Sequence, residues 1–412
     1  MRGGWRLGLA SLCAGTLAAV TAVAGTGTLD DLDLRIGKAL FQRAWVPAPS
    51  STHGDDGLGP LFDARSCAAC HPGGQRARAV IESNGHIEGR GMVLVLGRPD
   101  GSGDPVYGRR LQIDAVPGLR PEGILAVRQV AQPGGRLARV PTPEDLGYGP
   151  LDAATGMSLR VSPDLRGRGL LEQVPESALV DLEAVQSRGP DAVHGRVRRV
   201  SLPDGSTVAG RFGWKAAQPS LSAQSSEAFF LDMGLSTPLH PEPWGDCTES
   251  QTTCRAALHG RENEDGFEIP NSLLTRVVAF VASLPAPQSP TSARGALLFA
   301  STGCAACHQP VLPLAKGGEA RMFTDLLLHD LGPGLADTLP EPGAAASEWR
   351  TAPLAGLSDA LSRRTGLLHD GRASSVEEAV LWHGGQAERA VRRFQALPRR
   401  EKDALLAYVG RL

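Results

Sequence analysis

Two stretches of this 412-residue chain are identical letter for letter: Cys67-Ala68-Ala69-Cys70-His71 and Cys304-Ala305-Ala306-Cys307-His308. In each, two thiols stand three positions apart and a histidine follows at once. Thiols so spaced reach the two vinyl groups of one porphyrin and form thioethers, while the histidine binds the iron from one face. Seven Cys and ten His in this length predict roughly 0.003 copies of the pattern by chance. Two copies are therefore no accident. They point to two covalently bound c-type haems, one on Cys67, Cys70 and His71, the other on Cys304, Cys307 and His308.

The remaining cysteines bear on the compartment. Arg2 and Arg6 precede an apolar run from Leu7 to Val23, and Ala22-Val23-Ala24 is a small-x-small cleavage site. Residues 1–24 read as an export signal, with an uncleaved anchor as the alternative. Cys13 leaves with that signal, which isolates Cys247 and Cys254. In an oxidising compartment the pair reads as a disulfide closing a short loop; a metal site is the alternative, but it lacks a matching second pair. Export, c-type haem and a spare thiol pair together point to a bacterial periplasm. The net charge of −2 gives no global field for nucleic acid or an anionic membrane, and nothing after the signal is apolar enough to span a bilayer.

Elements must hold the two motifs in place. From Asp30 to Trp45, Leu32, Ile36, Leu40 and Phe41 recur at near-helical spacing, and Pro47, Pro49 and Gly54 then break the pattern. Met92 to Leu96 is strand-like, and residues 131–165 form a Pro- and Gly-punctuated excursion. Gly169 to Val185 reads as a helix broken by Pro175, and residues 194–216 as a hairpin around Pro203-Asp204-Gly205. Leu273–Leu284, Ser292–Ala300 and Arg399–Leu412 are helical, with Pro285–Pro290 as a linker. The expected architecture is mainly α: a signal at 1–24, an N-terminal haem domain at 30–285, and a C-terminal one at 291–412. Both would be cytochrome c-like, the first carrying a loop-rich insertion with some β.

At this level the chain resembles the di-haem oxidoreductase family of peroxidase-like proteins, which is related to the bacterial di-haem cytochrome c peroxidases. The resemblance rests on Gly57–His71, Asp104-Pro105-Val106-Tyr107-Gly108, Gly169–Glu172, Gly210–Ala216, Thr324–Asp337, Glu348–Leu354 and Leu368–Gly385. It covers the chain from about residue 36 to the end. One departure is Leu331, where the family pattern leads one to expect Met.

Several roles follow from the resemblance. In related peroxidases a His-Asp-Gly segment precedes a helix whose residue fourteen positions after that His binds the second haem, commonly as Met. Here the segment is His369-Asp370-Gly371 and the position holds His383, which makes His383 the expected distal ligand of the haem on His308. His369 is the alternative ligand; otherwise it and Arg372 meet haem propionates. An imidazole in place of a thioether lowers that haem's potential. Trp214, then Gln224 ten residues on and Asp232 eighteen on, resemble a Trp, Gln and Glu of the same relatives. They imply an electron relay at Trp214, a peroxide-orienting amide at Gln224 and a proton-moving carboxyl at Asp232, with a core tryptophan and an N-cap or turn aspartate as the alternatives at the first and last. His86, fifteen residues after His71, resembles a histidine that caps the first haem at rest, so it is a candidate iron ligand beside a surface role.

The function implied is a periplasmic di-haem peroxidase. Electrons would come from a small redox protein, enter at the C-terminal haem and reduce hydrogen peroxide at the N-terminal one, with calcium as a further candidate ion. Two alternatives stay open: an electron-transfer cytochrome without peroxide chemistry, and an oxidase of a protein or metal-ion partner.

Overall fold

A computed structural model describes residues 30–51, 56–189, 193–260, 266–289, 292–339 and 341–412. The expected signal at 1–24 lies outside them. The fold departs from the mainly α expectation: helix accounts for 31% of the structure and strand for 17%, the latter residing, among the described residues, in seven two-stranded sheets and in isolated bridges. Two cytochrome c-like domains are not what these elements build. The cause is visible in composition: 50 Gly and 31 Pro interrupt the apolar periodicity, and no described helix exceeds 13 residues. Short ladders fill the intervals. The largest apolar core also joins residues from distant parts of the chain, Leu40 and Phe62 packing with Leu326 and Ala355.

The first helix, Asp31–Gln42, starts where the Asp30 carboxylate accepts the Asp33 N–H at 2.9 Å, an N-cap that satisfies one of the free amides of the first turn. It buries Gly37, Leu40 and Phe41 against the helix Asn271–Ser283, with Phe41 and Phe280 rings 5.3 Å apart. The two backbones come so close at Gly37 that a Cβ there would lie 2.0 Å from the Arg276 carbonyl oxygen. Only glycine allows this crossing.

The helix Leu221–Met233 is capped by Ser220, whose hydroxyl accepts the Ala223 N–H, and ends at Gly234 with φ +66°. Its C-terminus is tied to the segment entering the first Cys-x-x-Cys-His motif. Gly59 N–H donates to the Met233 carbonyl, and the N–H groups of Asp63 and Ala64 both donate to that of Asp232. Met233 itself is core.

The longest ladder pairs Met92–Gly97 with Gly156–Val161, Met92 opposite Val161 and Leu94 opposite Leu159. Met92, Leu94 and Leu96 point inward, the period-2 pattern of a half-buried strand. The end of this ladder is a junction. Val161 N–H donates to the His369 carbonyl, its own carbonyl accepts the Trp214 indole N–H at 2.9 Å, and the Pro163 carbonyl accepts from the His71 ring at 2.9 Å. One short segment thus touches the first motif, the tryptophan and the His369 loop.

Toward the C-terminus, Ala293–Thr302 is capped by Ser292, ends at Gly303 with φ +101°, and delivers Cys304. It packs on Arg399–Val409 through Phe299, Phe323 and Tyr408, whose rings meet edge to face.

Cys247 and Cys254 form a disulfide seven residues apart, buried beside Leu61. Closing so short a loop restricts the unfolded chain by about 2–3 kcal/mol. Replacing both residues by Ser is expected to lower the thermal midpoint by several degrees, and reductant should then have no further effect. A double variant melting with the parent would show that the bond adds no stability.

Candidate haem sites and the path between them

The second motif opens on an apolar cleft of about 200 Å³. Cys304, Cys307 and His308 form one wall, and His383 faces them from the end of the helix Val376–Trp382. That helix is set by Ser375, whose hydroxyl accepts the Glu378 N–H at 3.1 Å. The His308 and His383 rings lie 6.5 Å apart, centroid to centroid. Two imidazoles on opposite faces of one metal need about 2 Å for each metal–nitrogen bond plus the reach to each ring centre, roughly 6 Å in all. The observed separation fits.

The ring orientations fit as well. His308 Nδ1 donates to the Phe323 carbonyl at 3.1 Å, and His383 Nδ1 to the Ala379 carbonyl at 2.7 Å. Each leaves Nε2 for a metal, the usual arrangement of a ligating histidine. Burial pushes His308 down to about 4 and lowers His383 too, so both are neutral, the form that binds a metal.

His71 repeats the pattern at the first motif. Its Nδ1 is held by Pro163, and burial pushes the ring down to about 4. The four motif thiols are unpaired and half-buried. Burial raises Cys67 to about 12 and Cys304 to about 11, so an unattached thiol would stay protonated.

A second, small cavity shares Arg76, Trp214 and Arg350 with the cleft and is bordered also by Pro163 and Arg168. Arg168 and Arg350 are buried, and desolvation depresses all three guanidiniums, to about 10, 10 and 9. Among the charged groups lining this cavity the acid is Asp164, already engaged by Arg166 at 2.6 Å. Buried cations in excess call for an anion, and the carboxylates of a porphyrin would supply it. None of these arginines was singled out from sequence. Position alone, Arg76 five residues after His71, was the only available signal.

Trp214 borders both cavities and is nearly buried, with Arg76 5.6 Å above its ring. Gln224 approaches the turn before it: a Cβ on Gly213 would stand 3.5 Å from Gln224 Oε1. His369, 5% exposed, stacks on Trp349 at 3.7 Å and borders the large cleft. Asp232 lies beside the first motif, with Arg110 at 2.8 Å, and its charge is felt at both Cys67 and Cys70. Gln224, Ala228 and Asp232 follow one another at four-residue spacing along a half-exposed face of their helix.

His86 is placed differently. It follows a turn, bridged to Ala126, with its Nε2 3.1 Å from Glu144 Oε2. His329 is buried with both ring nitrogens on oxygen acceptors: Asp325 Oδ2 at 2.9 Å and Gln386 Oε1 at 3.0 Å. With Cys307 and Asp325 it makes the one cluster of metal-ligand spacing among the described residues. One carboxylate oxygen beside a sulfur and a nitrogen is not the oxygen cage that calcium takes.

Among the described residues no helix is long and apolar enough to cross a membrane. No curated protein matches the sequence. Among solved structures, hydrazine synthase of Kuenenia stuttgartiensis, pressurised with 20 bar xenon, aligns over 99% of this chain and 100% of its own at 14% identity. Its TM-score of 0.41 is too low to fix a common fold. Residues 150–412, more than half of the chain, match the family described as "Di-haem oxidoreductase, putative peroxidase", and the chain belongs to that di-haem oxidoreductase family.

Proposed function

We propose that this protein is an exported c-type di-haem peroxidase of the periplasm. It takes electrons from a small redox protein at the haem on Cys304, Cys307, His308 and His383, and delivers them to hydrogen peroxide at the haem on Cys67, Cys70 and His71. The observation that carries the reading is the difference between the two sites. His308 faces a second imidazole at 6.5 Å; the His71 motif has the Asp232–Arg110 pair beside it instead. The first arrangement suits electron transfer and the second suits proton-coupled bond breaking.

When bound, the haems supply the one-electron chemistry and an exchangeable site for peroxide. The chain does the rest. His71, His308 and His383 are held neutral and oriented by backbone carbonyls. Asp232 moves a proton between the two peroxide oxygens, Gln224 orients the substrate, and Trp214 bridges the two cavities as a relay. The buried arginines neutralise the porphyrin carboxylates.

The test uses the haem-loaded protein. Two haems should survive denaturation, and Cys304→Ser with Cys307→Ser should leave one. Half-reduced protein mixed with one equivalent of hydrogen peroxide should lose its reduced-haem absorbance and its high-spin ferric resonance, with two electrons consumed per peroxide. Two low-spin haems indifferent to peroxide would overturn the reading in favour of an electron-transfer cytochrome.

A further inference from the structure

Four residues before Cys67, Asp63 is 3% exposed, and its Oδ2 has no hydrogen-bond partner. Its Oδ1 accepts only a long 3.4 Å bond from the Ile113 N–H. The same Arg110 nitrogen that lies 2.8 Å from Asp232 Oδ1 lies 3.9 Å from Asp63 Oδ2. Two carboxyls therefore flank one guanidinium, and the Asp63 N–H to Asp232 carbonyl bond at 2.9 Å fixes them together. The other charges facing the group are few. Arg90 donates to the Asp63 carbonyl while pairing with Asp114, and Glu227 and Asp246 lie near Arg110. A carboxylate left buried without full hydrogen bonding is costly, and protonation removes the cost.

We propose that Asp63 is the proton-supplying residue behind Asp232: the pair carries one proton at neutral pH, held on Asp63, and passes it to the substrate through Asp232. This rests on the peroxidase reading. Reducing one hydrogen peroxide to two waters consumes two electrons, from the redox-protein donor, and two protons. Asp232, ionised beside Arg110, takes the proton of one peroxide oxygen and returns it to the other as the O–O bond breaks. Asp63 then gives one of the two protons needed from outside, and solvent gives the other and later reloads Asp63. Burial foremost, with Asp232 adding and Arg110 opposing, pushes the Asp63 carboxyl up to about 8, so the reservoir is filled at neutral pH and empties above it.

The experiment pairs rates with infrared spectra on haem-loaded wild type, Asp63→Asn and Asp232→Asn. Wild-type peroxide reduction should fall as pH rises through about 8. Asp63→Asn should lose this alkaline limb and sit at the wild-type high-pH rate throughout. A protonated-carboxyl band that titrates over the same range should persist in Asp232→Asn and vanish in Asp63→Asn. An Asp63→Asn profile with the alkaline limb intact, or a band removed by Asp232→Asn instead, would overturn the proposal. Should Asp63→Asn not take up haem, the wild-type and Asp232→Asn spectra decide alone. Wild type that reduces no peroxide defeats the peroxidase reading, and the infrared comparison still reports separately where the proton sits.

Discussion

Asp232→Asn is expected to reduce the rate of peroxide reduction by about 10²–10⁴-fold while leaving both haems bound and their resting spectra unchanged. The asparagine keeps the shape of the side chain but can neither take a proton nor hold one. Asp232 is placed for the role by backbone rather than by chance of rotamer: its carbonyl receives the N–H groups of Asp63 and Ala64, a few residues ahead of Cys67. Burial raises its carboxyl above the ordinary range, Arg110 opposes this, and Glu227 adds to it. The sign of the pH dependence follows. A group that must start ionised gives a rate that rises with pH through its own raised titration, so the acid limb should belong to Asp232. Loss of that limb in Asp232→Asn, with haem content measured in the same preparation, checks the assignment. A variant with wild-type turnover would remove Asp232 from the chemistry.

Chemistry was more legible in this sequence than architecture. The two Cys-x-x-Cys-His motifs are short and local, so reading them needs no fold. His383 was found through its distance from His369, and both residues border the same cleft. Short helices were also legible where caps and apolar periodicity agree, as at Asp30 and Ser292. The class of fold was not. Apolar residues between Met92 and Val161 form ladders whose partners are some 60 positions apart in the chain, and no local pattern announces such a pairing. The Arg76, Arg168 and Arg350 cluster was hidden for a related reason. A lone arginine reads as a solvated charge, and only the fold shows that three of them are brought together with too few acids. Asp63 likewise reads as a turn aspartate until Arg110, from a separate loop, is found beside it.

His383→Met is expected to raise the midpoint potential of the haem on His308 by a sizeable part of the roughly 0.8 V over which axial ligation sets haem potentials, because a thioether favours the ferrous state more than an imidazole does. The structural basis is direct. His383 closes the helix Val376–Trp382 at its C-cap, its ring faces His308 at 6.5 Å, and its Nδ1 bond to the Ala379 carbonyl aims the other nitrogen into the cleft. Trp382 beside it is clamped between the Arg136 and Arg372 guanidiniums at 4.7 and 4.6 Å, so the helix end has little freedom to turn His383 away. Two variants separate ligation from packing. His383→Ala should turn a low-spin haem into a high-spin one, and exogenous imidazole should restore the low-spin spectrum. His383→Met should keep it low-spin at the higher potential. A potentiometric titration of the three proteins, read at the absorbance of the reduced haem, gives the answer. Unchanged potential and spin state in both variants would mean that another residue stands opposite His308. If they change as expected, the higher potential in His383→Met should also slow peroxide reduction, since electrons then gain less in moving on to the His71 site.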